Sequence, residues 1–299
     1  MKKFYFLVTL AIVFSALNAI GQKPIYISED SVLVGNSLHP GLTVTIPEVD
    51  FNKTLKNWIK EQENGTKSKV VTDNGEMSIF GAIRKDISPN PINIYSILQN
   101  EDTLQFLMVS IELKKDQYVE PASGDIQMTA ARNFLKDFAK NQYIDFIKDE
   151  VAEQEKILRE LNNELNGLQK NESKTKKGAQ SSKNVIRDEQ DKLIVRNNEL
   201  NQLSTEIINQ NNLLISMEAG PGREAKAAQI KELDKRKSKL QREIQSADNK
   251  ISKSKSRIDQ ADRALPRNDV DQQRMNERIG EQEAVVRRYM DKLNTVRNY

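Results

Sequence analysis

The sequence predicts an α+β protein: a small antiparallel β-sheet head with helices on one face, followed by a long antiparallel α-helical coiled-coil hairpin. Four features predict this fold class. Short apolar strands alternate with turn signals in the first part of the chain, and unbroken heptads fill the rest. The sequence Gly220-Pro221-Gly222 interrupts those heptads midway. Charged residues make up 30% and aromatic residues 6% of the chain, a composition that suits the thin apolar seam of a coiled coil.

Residues 1–21 predict a signal peptide. Lys2 and Lys3 form a basic start, an apolar run follows from Phe4 to Leu17, and small residues precede a cleavage site before Gln22. The apolar run is too short for an ordinary transmembrane helix, and an uncleaved anchor is the alternative interpretation. We therefore expect the mature chain to be exported to the periplasm or to the extracellular space.

Residues 22–125 are predicted to form the α+β head. A strand over Leu42–Ile46 stops at Pro47, and Asp50 suits the N-cap of a short helix. Four apolar residues then share one face of that helix. They are Phe51, Leu55, Trp58 and Ile59.

Two β-hairpins are predicted after this helix. The first spans residues 70–83 around Asn74-Gly75, a turn sequence that tolerates positive φ at both central positions. The second spans residues 92–113, with its polar turn at residues 99–102. The predicted order is one strand, a helix, four strands and a long helix, which indicates a sheet covered by helices on one face.

His39 and Trp58 each allow two interpretations. His39 is either a ligand-binding or catalytic histidine or a loop residue before the Pro40-Gly41 turn, which needs no special role. Trp58 either packs under the sheet or forms an exposed anchor for a partner, because tryptophan is enriched in binding hot spots. The loop and the packed position are the favoured interpretations.

The stalk follows the head without a stop signal. Residues 126–143 are predicted to form a helix that joins head and stalk, and residues 144–299 the antiparallel coiled-coil hairpin. With Ile144 at position a and Ile147 at position d, the outgoing heptads keep their phase as far as Met217.

The returning helix has its own register, with Ile230 at position a, and the turn is predicted at residues 219–222. Position a should face position d in an antiparallel pair. Both registers meet this condition if Met217 lies opposite Ile230 and Val151 lies opposite Val296.

The middle of the hairpin lacks apolar residues at several seam positions. Residues 172–182 on the outgoing helix lie near residues 265–268 on the returning one, and each stretch holds a helix breaker, Gly178 and Pro266. We predict an elbow there, since glycine and proline are the usual causes of helix kinks. The alternative is a straight coiled coil in which Pro266 begins a fresh helix.

The returning helix is basic between Lys226 and Arg263. This charge indicates either a footprint for an anionic surface or partner, or the solvated face of a coiled coil. Nucleic acid is not an expected partner for an exported chain. The candidate partner-contact residues are Trp58, Lys235, Arg236, Lys239, Arg242, Lys253 and Arg257.

The sequence lacks the motifs of known active sites. The absence of cysteine excludes disulfides, thiolate metal sites and cysteine nucleophiles, and a single histidine excludes a multi-histidine metal site. No phosphate-binding loop or serine-nucleophile elbow occurs. We therefore predict no catalytic residue, no cofactor and no metal site, and we expect that the protein is not an enzyme. A carboxylate pair in the head is the alternative left open.

Three segments carry a resemblance: Gly35–Leu42, Leu113–Tyr118 and Gln282–Leu293. Together they resemble exported bacterial proteins with an N-terminal α+β head and a long coiled-coil hairpin. The resemblance implies no activity and no functional residues. We expect a scaffold, spacer or interaction protein of the cell envelope, with protein partners there. The alternative is a periplasmic holdase-type chaperone that grips unfolded clients with its helical arms. The mixed residues at positions a and d leave the oligomeric state open.

Overall fold

A computed structural model describes residues 24–121 and 124–298. The chain divides into two compact units. The base unit takes the chain up to Leu158 together with the segment from Glu281 onward, and the distal unit is Arg159–Gly280. The predicted signal peptide, residues 1–21, lies outside the described residues. Within those residues, no helix combines the length and the apolar character that crossing a membrane requires.

Seven strands and three helices occur within the described ranges. The strands are β1 (Ile27–Val34), β2 (Ser37–Pro47), β3 (Val71–Asp73), β4 (Glu76–Ala82), β5 (Ile92–Glu101), β6 (Leu104–Lys114) and β7 (Gln117–Tyr118). The helices are α1 (Phe51–Gln62), α2 (Asp125–Ser216) and α3 (Pro221–Arg297). The sheet is antiparallel with the order β1-β2-β6-β5-β4-β3, and β7 pairs with β6. The predicted fold class, an antiparallel sheet followed by a helical hairpin, is confirmed.

Local signals in the head act as the sequence predicts. The Asp50 carboxylate accepts a hydrogen bond from the Lys53 backbone N–H at 2.8 Å and caps α1. Asn74 and Gly75 adopt positive φ angles of 46° and 87° between β3 and β4. The second predicted turn begins later than expected, because β5 continues to Glu101.

The N-terminal edge of the sheet differs from the prediction. Residues 36–41 were expected to be a loop, but all except Asn36 lie in β2, and His39 pairs with Val32 of β1. Strand β1 was not predicted, because the polar run Ser28–Ser31 hides any apolar alternation. This strand lies at the edge of the sheet, where such polar side chains are tolerated.

The far half of the β1–β2 hairpin leaves the plane of the sheet. Strand β2 pairs with β6 only from Leu42 to Pro47. Beyond that point β1 contacts β6 and β5, and the backbone N–H of Gly35 donates to Glu76 of β4 at 3.0 Å. Gly41 lies at the departure point, where a Cβ atom would fall 2.5 Å from the Val32 side chain. The hairpin thus lies across the sheet as an arm.

The core of the base unit lies between the sheet and the helices. Apolar residues of β2, β4, β5 and β6 pack against Trp58 of α1 and against the first turns of α2. In α2 the core residues recur at helical spacing. They are Met128, Ala131, Leu135, Phe138 and Ala139.

Within the base unit, α2 and α3 pair one heptad away from the predicted register. The prediction sets Gln154 opposite Leu293, whereas the Gln282 side chain donates to Gln154 Oε1 at 2.9 Å. Gln282 lies one helical turn from Val286, the residue opposite Gln154 after a shift of one heptad. A shift of one heptad keeps position a facing position d, so the seam stays apolar.

The distal unit shows the same displacement. The prediction sets Gln210 opposite Lys237, but Lys226 Nζ donates to Gln210 at 2.6 Å. Lys226 lies one helical turn from Ile230, the residue opposite Gln210 after a shift of one heptad. Arg196 should face Ile251, but it pairs with Glu243 at 3.1 Å. The predicted register is therefore wrong by one heptad, while the predicted assignment of a and d positions agrees with the buried residues. These include Leu203, Ile207, Ile230 and Leu240.

The turn of the hairpin is earlier than predicted. Helix α2 ends at Ser216 and α3 begins at Pro221, so the connecting residues are 217–220 rather than 219–222. Pro221 is the first helical residue, a position where its missing N–H leaves no intrahelical bond unmade. Gly220 remains in the turn, whereas Pro221 and Gly222 belong to the helix.

Helices α2 and α3 continue through the predicted elbow. Gly178 lies inside α2 and Pro266 inside α3, so Pro266 does not begin a fresh helix. Polar side chains bridge this stretch. Asn268 donates to the Leu168 carbonyl at 3.1 Å, and Gln272 donates to Glu172 at 2.7 Å. A bend at this height stays a prediction.

Candidate interaction surfaces

Trp58 lies beneath the sheet and not on the surface. Its side chain is fully buried, and the indole N–H donates to Ser96 Oγ at 2.8 Å. The ring centroids of Phe138 and Phe134 lie 4.8 and 5.6 Å away. The interpretation of Trp58 as an exposed partner contact is therefore wrong, because no part of the indole reaches solvent.

The other six candidate residues are exposed on α3 in the distal unit. They are Lys235, Arg236, Lys239, Arg242, Lys253 and Arg257, and we call them the basic face. Lys235, Lys239 and Arg242 are spaced by four and three residues, so they follow one side of the helix. They occupy heptad positions c and f, which point away from the seam.

Part of this charge is already neutralised within the distal unit. Lys235 pairs with Glu232 at 3.0 Å, and Arg236 pairs with Glu199 of α2. Exposed pairs of this kind contribute little to stability. Because basic residues still outnumber acidic ones twofold between Lys226 and Arg263, the face keeps a positive field.

A half-open groove of about 970 Å³ lies in the base unit beside the helices. It is formed by α1, the segment after β4, and the early turns of α2. Amide and charged side chains dominate its lining. They include Asn57, Arg84, Asn133, Asp137, Asn141 and Asp145. A groove with this mixture of donors and acceptors suits a polar ligand better than an apolar one.

Arg84 is the most buried cation of the groove. Its side chain is 12% exposed, pairs with Glu61 at 3.2 Å, and places its guanidinium carbon 4.7 Å from the Phe134 ring centroid. Burial lowers the pKa of Arg84, while the Glu61 and Asp86 carboxylates act in the opposite direction. An arginine remains charged under such conditions, so it joins α1 to the sheet as a cation.

A second polar cluster surrounds Glu112 on β6. The carboxylate accepts hydrogen bonds from Asn93 at 2.7 Å, from the Asp116 backbone at 3.0 Å and from Tyr95 at 3.2 Å. Burial raises the pKa of Glu112, but these hydrogen bonds outweigh it and hold the pKa below its usual value. The carboxylate is therefore an acceptor for neighbouring donors rather than a source of protons at neutral pH.

His39 lies beside this cluster. Its ring stacks on Tyr118 with the centroids 4.4 Å apart. Burial, and then the nearby Glu112 carboxylate, raise the pKa of Tyr95 to about 12. Among the described residues, no group of three or more histidine, cysteine, aspartate or glutamate side chains is arranged to hold a metal ion.

No protein-family model matches the sequence, and no curated protein matches it significantly. The groove and the Glu112 cluster were not predicted. The groove joins three distant segments, which no local pattern connects. The basic face was predicted, because a charge run on a heptad background is visible in the sequence.

Proposed function

We propose that the protein is a non-enzymatic, exported scaffold or interaction protein of the cell envelope. The observation that carries this proposal is the hairpin itself. Helices α2 and α3 have 92 and 77 residues, bury only an a/d seam against each other, and leave their outward positions exposed. A helix pair of this kind offers a long surface with little interior in which to build a catalytic cleft.

Export rests on the N-terminal segment, with its basic start, its short apolar run and its small residues before Gln22. Mass spectrometry of protein recovered from a periplasmic or secreted fraction should identify Gln22 as the first residue. A membrane-bound form that keeps Met1 would support the uncleaved anchor instead.

The basic face is the proposed contact for an acidic envelope protein. A photo-crosslinking residue at Lys239 in the full-length, exported chain should capture a defined protein, identified by mass spectrometry. Positive charge steers acidic partners and weakens with added salt, so capture should decline as ionic strength rises. Two triple variants with reversed charges then distinguish the effect of charge at this site from the effect of total charge. The test variant is Lys235→Glu, Lys239→Glu and Arg242→Glu, and the control variant is Lys67→Glu, Lys85→Glu and Lys115→Glu.

The triple variants are compared with a crosslinker at Gln241, an exposed neighbour of the basic face that both variants retain. The control triple lies on exposed positions of the base unit and changes net charge equally. Capture that is lost in the test variant and kept in the control supports the proposal. Equal capture by both variants, or repeated failure to enrich one protein, counts against it.

The alternative is a holdase-type chaperone whose arms grip unfolded clients. Exposed aliphatic side chains on the distal part of α2, such as Ile208 and Ile215, favour this function, since holdases bind apolar segments. The assay is suppression of aggregation of an unfolded outer-membrane protein. No effect at molar excess of the full-length protein removes the chaperone function and leaves the scaffold function intact.

A further inference from the structure

One side of α2 in the distal unit has no charge over a long stretch. From Ile194 to Ser216, every residue at heptad positions b, c, e and f is uncharged. We call this surface the neutral face. This stretch holds three charged residues, Arg196, Glu199 and Glu206, and they occupy positions d and g. Arg196 and Glu199 pair with α3 through Glu243 and Arg236. In a chain with 30% charged residues, such a face is an exception.

The neutral face carries a regular apolar stripe. Ile194, Ile208 and Ile215 all occupy position b and are 63%, 60% and 78% exposed, and Asn201 fills the remaining b position among them. Val195 beside the stripe is 65% exposed. Single exposed apolar residues are common on proteins, but a seven-residue repeat is the pattern of a helix–helix seam.

We propose that the neutral face binds the neutral face of a second copy of this chain, in antiparallel orientation, with Asn201 at the two-fold axis. This deepens the proposed scaffold function, since it names one partner of the hairpin. Charge favours a second copy over other occupants. An acidic partner is drawn to the basic face, and surfaces that bind lipid frame their apolar stripe with Lys and Arg rather than with Asn, Ser and Thr. Two neutral faces meet without like-charge repulsion.

The register follows from the single polar residue in the stripe. Centred on Asn201, an antiparallel pair sets Ile194 against Ile208 on both sides of the axis and Asn201 against its own copy. The two amides can then hydrogen-bond to each other, as polar residues in coiled-coil seams do when they set the register. Centred one half-heptad further on, Asn201 would face Ile208 and leave an amide unsatisfied against an apolar side chain.

The size of the face sets the strength of the pairing. With the axis at Asn201 the two neutral faces overlap from Ile194 to Ile208, which is 15 residues or about 22 Å of helix, and a helix presents a width of about 10 Å. Ile215 lies beyond this overlap, opposite Arg187. A few hundred Å² per partner place the contact among small interfaces, which are transient. We therefore expect a dimer that forms and dissociates with concentration, and not a permanent one.

The cysteine-free chain allows a direct test of this geometry. In the full-length protein, Asn201→Cys should form a disulfide-linked dimer under mild oxidation, because the two positions meet at the axis. Asn212→Cys is the matched control: it is exposed on the same face but lies away from the axis. Crosslinking of Asn201→Cys well above the control supports the proposal, and equal or lower crosslinking overturns it.

Sedimentation equilibrium from micromolar to millimolar concentration tests the surface itself. Wild type should shift from monomer to dimer, and Ile208→Glu should weaken the dimer at least about tenfold, because each dimer would bury two glutamates. Ile126→Glu, at a more exposed isoleucine of the base unit, should leave the equilibrium unchanged. A monomer at all concentrations, or a dimer that survives Ile208→Glu, overturns the inference. A monomer that still captures an envelope protein overturns it while the scaffold proposal stands.

Discussion

Lys292 forms a buried ion pair that ties α3 to the head within the base unit. Its side chain is 5% exposed, and its Nζ lies 2.6 Å from Glu48 Oε2, whose own side chain is 15% exposed. Tyr143, fully buried, donates its hydroxyl to the same carboxylate at 3.2 Å. Glu48 holds a positive φ of 63°, a conformation that a non-glycine residue keeps only where its surroundings hold it. We predict that Lys292→Met strongly destabilises the base unit.

The magnitude follows from the charge that the substitution leaves behind. Methionine keeps most of the aliphatic stem, so the substitution removes mainly the positive charge. The Glu48 carboxylate then stays buried, with Tyr143 as its remaining donor in this cluster. Breaking a buried pair in this way costs about 3–5 kcal/mol. For a unit of this size that corresponds to a fall in Tm of roughly 6–20 °C. Thermal and urea denaturation followed by circular dichroism measure it.

Two further variants show whether the ion pair is the cause. Lys85→Met, at an exposed lysine of the same unit, should change the free energy of unfolding by less than about 0.5 kcal/mol. Glu48→Gln combined with Lys292→Met removes both charges and should recover a large part of the loss. A loss below about 1 kcal/mol for Lys292→Met alone, or a double variant as unstable as the sum of the single ones, would refute this reasoning.

Four other changes have expected outcomes. Gly41→Ala should destabilise the base unit by about 1–3 kcal/mol, because its Cβ would lie 2.5 Å from the Val32 side chain and 2.6 Å from the Val109 carbonyl oxygen; unchanged urea denaturation would contradict the tight crossing. Gly178→Ala should stabilise the distal unit by about 0.5–1 kcal/mol, since a Cβ meets no atom within 4 Å; a lower denaturation midpoint would contradict this. Glu189→Leu replaces a d-position carboxylate that is 6% exposed and should raise the same midpoint, although it removes the ion pairs with Lys192 and Lys250. Because the pKa of Tyr95 is raised to about 12, its contribution to stability should be complete below pH about 10 and lost as the pH rises through 12. Tyr95→Phe should remove that dependence in denaturation measured across the alkaline range.

Local signals in the head were sufficient where a few adjacent residues determine the structure. The Asp50 cap and the Asn74-Gly75 turn depend on one side chain or on two φ angles, and both are confirmed. The β1–β2 arm could not be predicted, because it depends on contacts between distant segments. Val32 is fully buried only since Gly41 lets the hairpin cross the sheet, and nothing local to β1 indicates that crossing.

The candidate surfaces also differ in whether the sequence alone could predict them. The basic face could be predicted because its position on α3 follows from heptad spacing and charge alone. The groove around Arg84 could not, because it needs the packing of α1, the β4–β5 segment and α2. The stripe of Ile194, Ile208 and Ile215 was present in the sequence as a second heptad repeat, but its meaning depends on knowing that position b is exposed.

The error in hairpin register has a physical origin in the heptad itself. A repeat of seven looks the same after a shift of seven, so position a faces position d in both the predicted and the observed pairing. The length of the turn distinguishes the predicted register from the observed one. The observed register needs only residues 217–220 to reverse the chain, because Pro221 already starts α3. The predicted register would leave several more residues of each helix unpaired at the tip. The short loop lets Ile230 and Leu233 join Ile207 in one apolar cluster and lets Lys226 reach Gln210. If the short turn sets the register, lengthening it by one heptad of flexible residues should allow the helices to slip. Disulfide crosslinks between positions 210 and 226, each replaced by cysteine, should then be joined by crosslinks between positions 210 and 233, one heptad along. Crosslinks confined to positions 210 and 226 would show that the turn does not set the register.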